Sequence, residues 1–495
     1  MTKYYITTAI DYVNSSPHIG HALEKVQADV AARYQRLQGK EVFFVTGTDE
    51  HGAKIARSAK AKGVGVEEFV EGNVKIFQEL WKELRVSNDY FIRTTDQKHH
   101  WPAVEKVWRQ LEKNGDLYKK TYEGLYCVGH EAFITQKDLV DGKCSLHKKE
   151  PEKVQEENIF FRLSKYSEQI KQAIEKKEMR IVPDSAENEM LRLIEEGLED
   201  ISFSRPRKDL QWGIPVPGDN TQTIYVWADA LVNYISAIGY GDEDEERRMF
   251  AKYWPADVHV IGKDILRFHA AIWPGILFSL GLPLPKTIFV HGFISMGGEK
   301  MSKSLGNVVD PFELVKKYGA DATRYYLMRE IPPTRDGDFT YEKFADRYSG
   351  DLAKGLGNLV ARVVSLGAKY IEGPMQGIRP PETEQALDEQ WREYHGAMEE
   401  FRFDDALKAA WILLKYADKR VDSTKLWEIS ESHPDTFREI IGELCIIIAT
   451  VSSMIRPVMP GTSFLIDRQL GIDVENIEEW KFLLKKGEAL FPRID

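Results

Sequence analysis

Apolar positions along the first part of the chain switch between two periods. Tyr4 to Ile10 is a dense run of β-branched and aromatic residues bounded by the Asn/Ser/Pro-rich stretch Asp11 to Pro17, which predicts a buried strand followed by a turn. From His21 to Gln38 the spacing becomes helical, with Leu23, Val26, Val30 and Tyr34 on one face. Glu41 to Thr46 is a second predicted strand, and helices are predicted over Val66 to Leu84 and His99 to Asn114. Between Tyr118 and Gln222 the pattern breaks into short aromatic strands and turns. It then resumes with strands over Thr223 to Trp227, Asp257 to Ile261 and Lys286 to Val290, with helices carrying Tyr234 and opening at Gly262. Alternation of strands and helices predicts an α/β fold on a parallel sheet. Its halves are 1–116 and 223–291, separated by an insertion over 117–222. Residues 292–345 carry a glycine- and lysine-rich loop. From 346 to 495 the pattern is helical, with helices over Asp346 to Tyr370, Glu382 to Phe401, Phe403 to Asp422 and Asp435 to Met454, and a Pro/Gly-rich connector at Gly373 to Pro381.

Composition narrows the class. At 495 residues, 43% hydrophobic and 29% charged, the chain fits a globular enzyme of several domains. Its longest apolar runs, Ala270 to Leu284 and Ile440 to Val451, are interrupted and fall short of the roughly 18 residues a membrane span needs. With no leader pattern at Met1 to Tyr5, a cytoplasmic location is expected. A net charge of −11 argues against nonspecific coating of nucleic acid, while leaving room for a local basic track. Three cysteines exclude a disulfide scaffold. Cys445, in an apolar helix, is expected in the core.

Candidate chemistry concentrates in four places. His18-Ile19-Gly20-His21 falls where the first strand hands over to a helix, the phosphate end of a nucleotide-binding sheet. The two imidazoles, with unpaired backbone N–H groups of the first helical turn, are expected to donate to phosphate oxygens, and Gly20 to let a flat adenine lie against the backbone. Lys300-Met301-Ser302-Lys303-Ser304, after Met296-Gly297-Gly298-Glu299, is expected to be a flexible loop bringing two cations onto a polyphosphate; a lone Lys-x-x-Lys is more often a solvated turn. Asp49, in Gly47-Thr48-Asp49-Glu50-His51-Gly52, is either the N-cap of the next helix or a ligand for a substrate ammonium. Cys127-Val128-Gly129-His130 and Cys144-Ser145-Leu146-His147, thirteen residues apart, resemble a Cys₂His₂ zinc knuckle, or hairpin residues left from one that has lost its metal.

Together with Val226-Trp227-Ala228-Asp229-Ala230, Gly262-Lys263-Asp264-Ile265 and Lys300 to Asn307, these motifs resemble, in order and spacing, the class I aminoacyl-tRNA synthetases, and over the whole length the methionyl-tRNA synthetase family. Members for leucine, isoleucine and valine carry an editing insertion too large for 117–222. The cysteine enzyme has a zinc-ligating thiol ahead of its histidine motif, where this chain has Ala9, Ile10 and Asp11. The resemblance implies a Rossmann-like catalytic domain with an inserted connective, zinc-knuckle-type domain, a stem-contact region at 292–345, and an α-helical bundle that binds the anticodon.

The resemblance further implies a methionine pocket of Ala9, Ile10, Tyr12, Trp227, Ala230, Tyr234, Ile265 and His269, with Asp49 on the ammonium and Arg205 near the adenylate. A thioether packs well on aromatic rings. Asp11 and Leu231 depart from the family pattern, Leu231 standing where relatives have proline. The implied cofactors are ATP, Mg²⁺ and structural Zn²⁺, with ATP held by His18, Gly20, His21, Lys300, Ser302 and Lys303. The carboxylate of L-methionine attacks the α-phosphorus while His18, His21, Lys300 and Lys303 neutralise charge on the leaving pyrophosphate. The terminal adenosine of initiator or elongator tRNA(Met) then takes the methionyl group. Asn358, Arg362 and Trp427 are implied to read the anticodon, though Trp427 follows Leu426 where relatives usually have proline, and a role capping the helical core stays open for it. A monomer is expected, because longer relatives continue into a dimerising domain. Two other readings remain: a different adenylate-forming nucleotidyltransferase, which would lack the lysine loop and helical appendage, and a catalytically silent paralogue, which would have lost a phosphate-facing histidine or lysine.

Overall fold

The strand β1 (Lys3–Thr8), fully buried from its second residue on, lies in the middle of a seven-stranded sheet. The computed structural model describes residues 2–129, 132–134, 138–242, 249–301, 307–472 and 480–494. On one side β1 pairs with β3 (Glu41–Asp49), which in turn pairs with β2 (Asp11–Tyr12) and β4 (Tyr90–Arg93). On the other side lie Val258–Gly262, Thr287–His291 and Arg180–Val182 in that order, every pairing parallel. Buried on both faces, such strands read as apolar runs. Asp11 and Tyr12, expected in a turn, instead form β2, because their backbone finds ladder partners at Thr48 and Asp49. The stretch expected as an insertion returns one strand, Arg180–Val182, to the main sheet; its remaining strands include the long hairpin partners Leu117–Cys127 and Glu152–Phe161.

The chain divides into two compact units: 1–17, 39–79 and 87–291 in the first; 18–38, 80–86 and 292–495 in the second. The first holds the sheet and one large apolar core built around residues such as Tyr5, Phe161, Phe203, Tyr234 and Trp273. In the second, the helix α1 (Ile19–Leu37) is joined to the helix Ala320–Arg329 by a fully buried ion pair, Arg324 Nη2 to Asp29 Oδ2 at 2.6 Å. The same guanidinium donates to the carbonyls of Leu84, Pro457 and Val458, so its charge is satisfied without water.

The helical part of this unit is built on Pro381–Glu399, Phe403–Thr424 and Pro434–Ile455, close to the predicted spans, with Cys445 fully buried as expected. Residues 480–494 run back over it. Phe482 pairs with Met375, Tyr348 donates to the carbonyl of Pro492 at 2.7 Å, and Leu484 sits so close to Gly367 that a Cβ there would lie 2.1 Å from it. Among the described residues, no helix is long and apolar enough to cross a membrane.

Candidate functional site

In the first unit, the sheet brings part of the expected amino-acid pocket together. Ala9, buried, follows β1 and donates its N–H to the carbonyl of Val260 at 3.0 Å. Tyr12 on β2 is in register with Asp49 at the end of β3, and Asp49 is only 7% exposed. Gly52, not Asp49, is the N-cap of the helix Ala53–Lys62, so the capping alternative for Asp49 falls away.

Trp227, Ala230 and Tyr234 lie on short helices. The predicted strand Thr223 to Trp227 is corrected: the strand Asp219–Ile224 ends earlier, and Trp227 lies on the short helix Val226–Ala230. The run of β-branched residues suggested a strand, but pairing with Ser204–Pro206 stops at Ile224. Trp227 stacks on Phe268 with centroids 3.8 Å apart and meets His269 edge-on at 6.1 Å. His269 Nδ1 lies 2.9 Å from the carbonyl of Ile265 and must donate to it, so Nε2 accepts from the Tyr234 hydroxyl at 2.6 Å. Ala9, Ile10, Tyr12, Trp227, Tyr234 and Ile265 all border one apolar cluster; Ala230 is buried beside it on the Trp227 helix.

Arg205, buried on the strand Ser204–Pro206, bonds Ser202 Oγ at 2.8 Å and the Ser204 carbonyl at 2.7 Å, and lies 4.6 Å over the ring of Tyr225, the N-cap of the Trp227 helix. Arg205 therefore supports the residue that leads into the pocket wall.

The phosphate motif belongs to the second unit. His18 is the N-cap of α1 in extended geometry. Its Nδ1 accepts from the Gly20 N–H at 3.1 Å, while His21 Nδ1 accepts from the His18 N–H at 3.0 Å. Ile19 N–H goes to Val309 and His21 N–H to the His18 carbonyl. The expectation of unpaired first-turn N–H groups is thus corrected: the motif's own imidazole and carbonyl, together with the carbonyl of Val309, occupy them. With Nδ1 of each ring accepting, a neutral imidazole carries its proton on Nε2. The rings lie 4.0 Å apart, and a Cβ on Gly20 would stand 2.9 Å from the His18 ring. Gly20 therefore makes room for the imidazole that caps the helix.

Ahead of the lysines the two glycines form a tight turn. Ile294–Met296 and Glu299–Lys300 form a hairpin, with Ser295 opposite Lys300, whose turn is Gly297 (φ 61°) and Gly298 (φ 82°). Two successive positive φ values at a two-residue turn are the conformation glycine adopts without strain. Asp338 Oδ1 accepts from Gly298 N–H at 2.7 Å, a bond that helps hold its carboxyl below the ordinary range. Ser302 and Lys303 lie outside the described residues.

Cys127, Cys144 and His147 converge. The two sulfurs lie 3.8 and 3.6 Å from His147 Nδ1, and the three ligand atoms fall within 4.8 Å of one another. Zn–S and Zn–N bonds of about 2.3 and 2.0 Å at tetrahedral angles give S···N edges of about 3.5 Å, so these groups fit a zinc ion. A Cβ on Gly129 would stand 2.4 Å from the His147 ring, so the first turn needs glycine there. His130 lies outside the described residues.

On the helix Asn358–Tyr370, Asn358 is exposed, and Arg362 bonds Asp422 at 2.8 Å and Asp418 at 3.4 Å. Trp427, on the helix Leu426–Ser432, is 52% exposed while Leu426 is fully buried, which excludes the core-capping alternative.

Sequence reasoning passed over Asp229, His100 and Ser236, which with His51, the imidazole that follows the second strand, form a buried hydrogen-bonded chain behind the Trp227 helix. Asp229 and His51 stood inside the quoted motifs; nothing local marked them as partners.

Comparison with known proteins matches this geometry to one family. The family profile "tRNA synthetases class I (M)" matches residues 4–145 and 134–364. The methionine–tRNA ligase of Caldanaerobacter subterraneus subsp. tengcongensis is 44% identical over 99% of this chain and 79% of its own length, and that of Thermotoga maritima 42% over 100% and 80%. The structure of Mycobacterium tuberculosis methionyl-tRNA synthetase in complex with methionyl-adenylate superposes with a TM-score of 0.94 at 37% identity, covering all of both chains. This chain belongs to the class I aminoacyl-tRNA synthetases of the methionyl family.

Proposed function

We propose that the chain is a methionine–tRNA ligase: it activates L-methionine with ATP to methionyl-adenylate and transfers the methionyl group to the 3′-terminal adenosine of initiator and elongator tRNA(Met). The observation that carries this reading is the Trp227–Phe268–His269–Tyr234 constellation in the unit whose central sheet carries the buried Asp49 at a strand end. A thioether has polarizable contacts with aromatic rings there, and the carboxylate matches an ammonium.

In this reading Ala9, Ile10, Tyr12, Ala230 and Ile265 complete the apolar walls, and Arg205 braces them beside the adenylate. His18 and His21, with Gly20, Lys300, Ser302 and Lys303, bind ATP and stabilise charge on its phosphates; Mg²⁺ enters as part of the nucleotide substrate. Asn358, Arg362 and Trp427 read the anticodon. Cys127, His130, Cys144 and His147 hold a structural zinc that orders the turn between the strands they flank. The domain limits are those predicted above, and the protein acts as a cytoplasmic monomer, which sedimentation of the purified chain tests.

Methionine-dependent ATP–pyrophosphate exchange is the direct test. Exchange with another amino acid would replace the substrate assignment, and none at all would favour the silent paralogue. Lys303→Ala should slow adenylate formation by about 100-fold with little change in ATP affinity. Metal analysis should find about one zinc per chain, lost in Cys144→Ser.

A further inference from the structure

Behind the amino-acid pocket of the first unit runs a chain of four buried polar side chains. Asp229, 1% exposed, lies between Trp227 and Ala230 on their helix. Its Oδ2 is 2.7 Å from His51 Nδ1 and its Oδ1 2.8 Å from His100 Nε2, and His100 Nδ1 is 2.8 Å from Ser236 Oγ. Burial alone would raise the Asp229 pKa, but the charges and hydrogen bonds of His51 and His100 outweigh it and hold the carboxyl below its ordinary range. An ionised carboxylate accepts on both oxygens, so each imidazole turns an N–H toward it.

The members sit on separate pocket elements. His51 comes two residues after Asp49, Asp229 two after Trp227, and Ser236 two after Tyr234. His100 immediately precedes the helix Trp101–Lys113. Trp101 and Trp212 close edge-on over His51 at 6.0 and 5.7 Å.

We propose that Asp229 is a positioning residue for the amino-acid pocket: through His51 and His100 it fixes the sheet exit that bears Asp49 relative to the helices that bear Trp227, Ala230 and Tyr234. Apolar contact between these elements is non-directional and specifies position loosely. Two charge-assisted hydrogen bonds from opposite sides of one carboxylate specify it closely, and a misplacement of about 1 Å in such a site costs on the order of 100-fold. The inference rests on the methionine-site reading.

The test uses the full chain with Asp229→Asn, His100→Gln, His100→Ala and Ser236→Ala, measuring ATP–pyrophosphate exchange against methionine and against ATP, with thermal midpoints alongside. Asp229→Asn should raise the methionine KM about 10- to 100-fold, and Ser236→Ala about threefold, with the ATP KM within twofold of the parent. His100→Gln keeps an N–H for Asp229 and should lie within about threefold of the parent where His100→Ala does not. If Asp229→Asn does not fold, the His100 pair and Ser236→Ala decide. Variants that lower the thermal midpoint and leave the methionine KM within twofold overturn the proposal. If Trp227→Ala raises the methionine KM and Asp229→Asn does not, this inference alone fails. If the parent shows no methionine-dependent exchange, the site reading fails with it.

Discussion

Trp227 and Trp427 each sit on a helix of five to seven residues, yet the protein treats them in opposite ways. Trp227 is stacked face to face on Phe268 and backed by a fully hydrogen-bonded polar chain, so its ring is fixed before any ligand arrives. Trp427 projects from a helix whose anchor is the buried Leu426, leaving more than half of the indole to water. A pocket for a small amino acid has only a few contacts with which to discriminate, so its walls must be preorganised. A base offers a large π-face, and an exposed ring suffices as a stacking platform. On the assignments proposed above, rigidity is spent where the ligand is small.

The contrast is sharpened most strongly by Trp227→Ala, which should lower kcat/KM for methionine in the exchange reaction by about 100-fold, through loss of packing area and the cavity left behind. Trp427→Ala should leave exchange within twofold of the parent and lower kcat/KM for charging tRNA(Met) by about 10- to 100-fold; a parallel loss of exchange would mean that Trp427 holds the fold together. Asp422→Asn is a finer probe. Arg362 spends its guanidinium on Asp422 and Asp418, so removing one acidic partner should strengthen tRNA(Met) binding about two- to threefold by filter retention, the scale of an exposed ion pair.

The smallest effect concerns pH. His259 bonds Thr7 at 2.7 Å and packs 4.2 Å from the Tyr234 ring, and burial, with nearby His269 adding to it, pushes its pKa well below the ordinary 6.5. An imidazole kept neutral in the fold contributes stability in full above pH 6.5, and this is lost as pH falls and the unfolded chain takes up the proton first. The fall in thermal midpoint between pH 7.5 and 5.5 should therefore be shallower in His259→Gln than in the parent; equal slopes would remove His259 from the account.

Much of this was legible from residue pattern. Strands and long helices followed from their periods. What escaped depended on partners remote in the chain. β2 exists because Thr48 and Asp49 offer a ladder to Asp11 and Tyr12. The helix at Trp227 replaced a strand because pairing ended at Ile224. The grouping of α1 with the second unit follows from Asp29 meeting Arg324, a pair that no local window contains. Asp229 finds its two histidines 178 and 129 positions away, and a buried Asp has no period of its own.

The closeness of Leu484 to Gly367 and the bond from Tyr348 to Pro492 have a practical meaning. The helical segment that carries Asn358 and Arg362 is clasped from outside by the stretch from Leu484 to Pro492. A protease nick near Leu484 would therefore loosen that helix from outside and, on the anticodon reading proposed above, would mimic an anticodon mutant although Leu484 need not touch RNA.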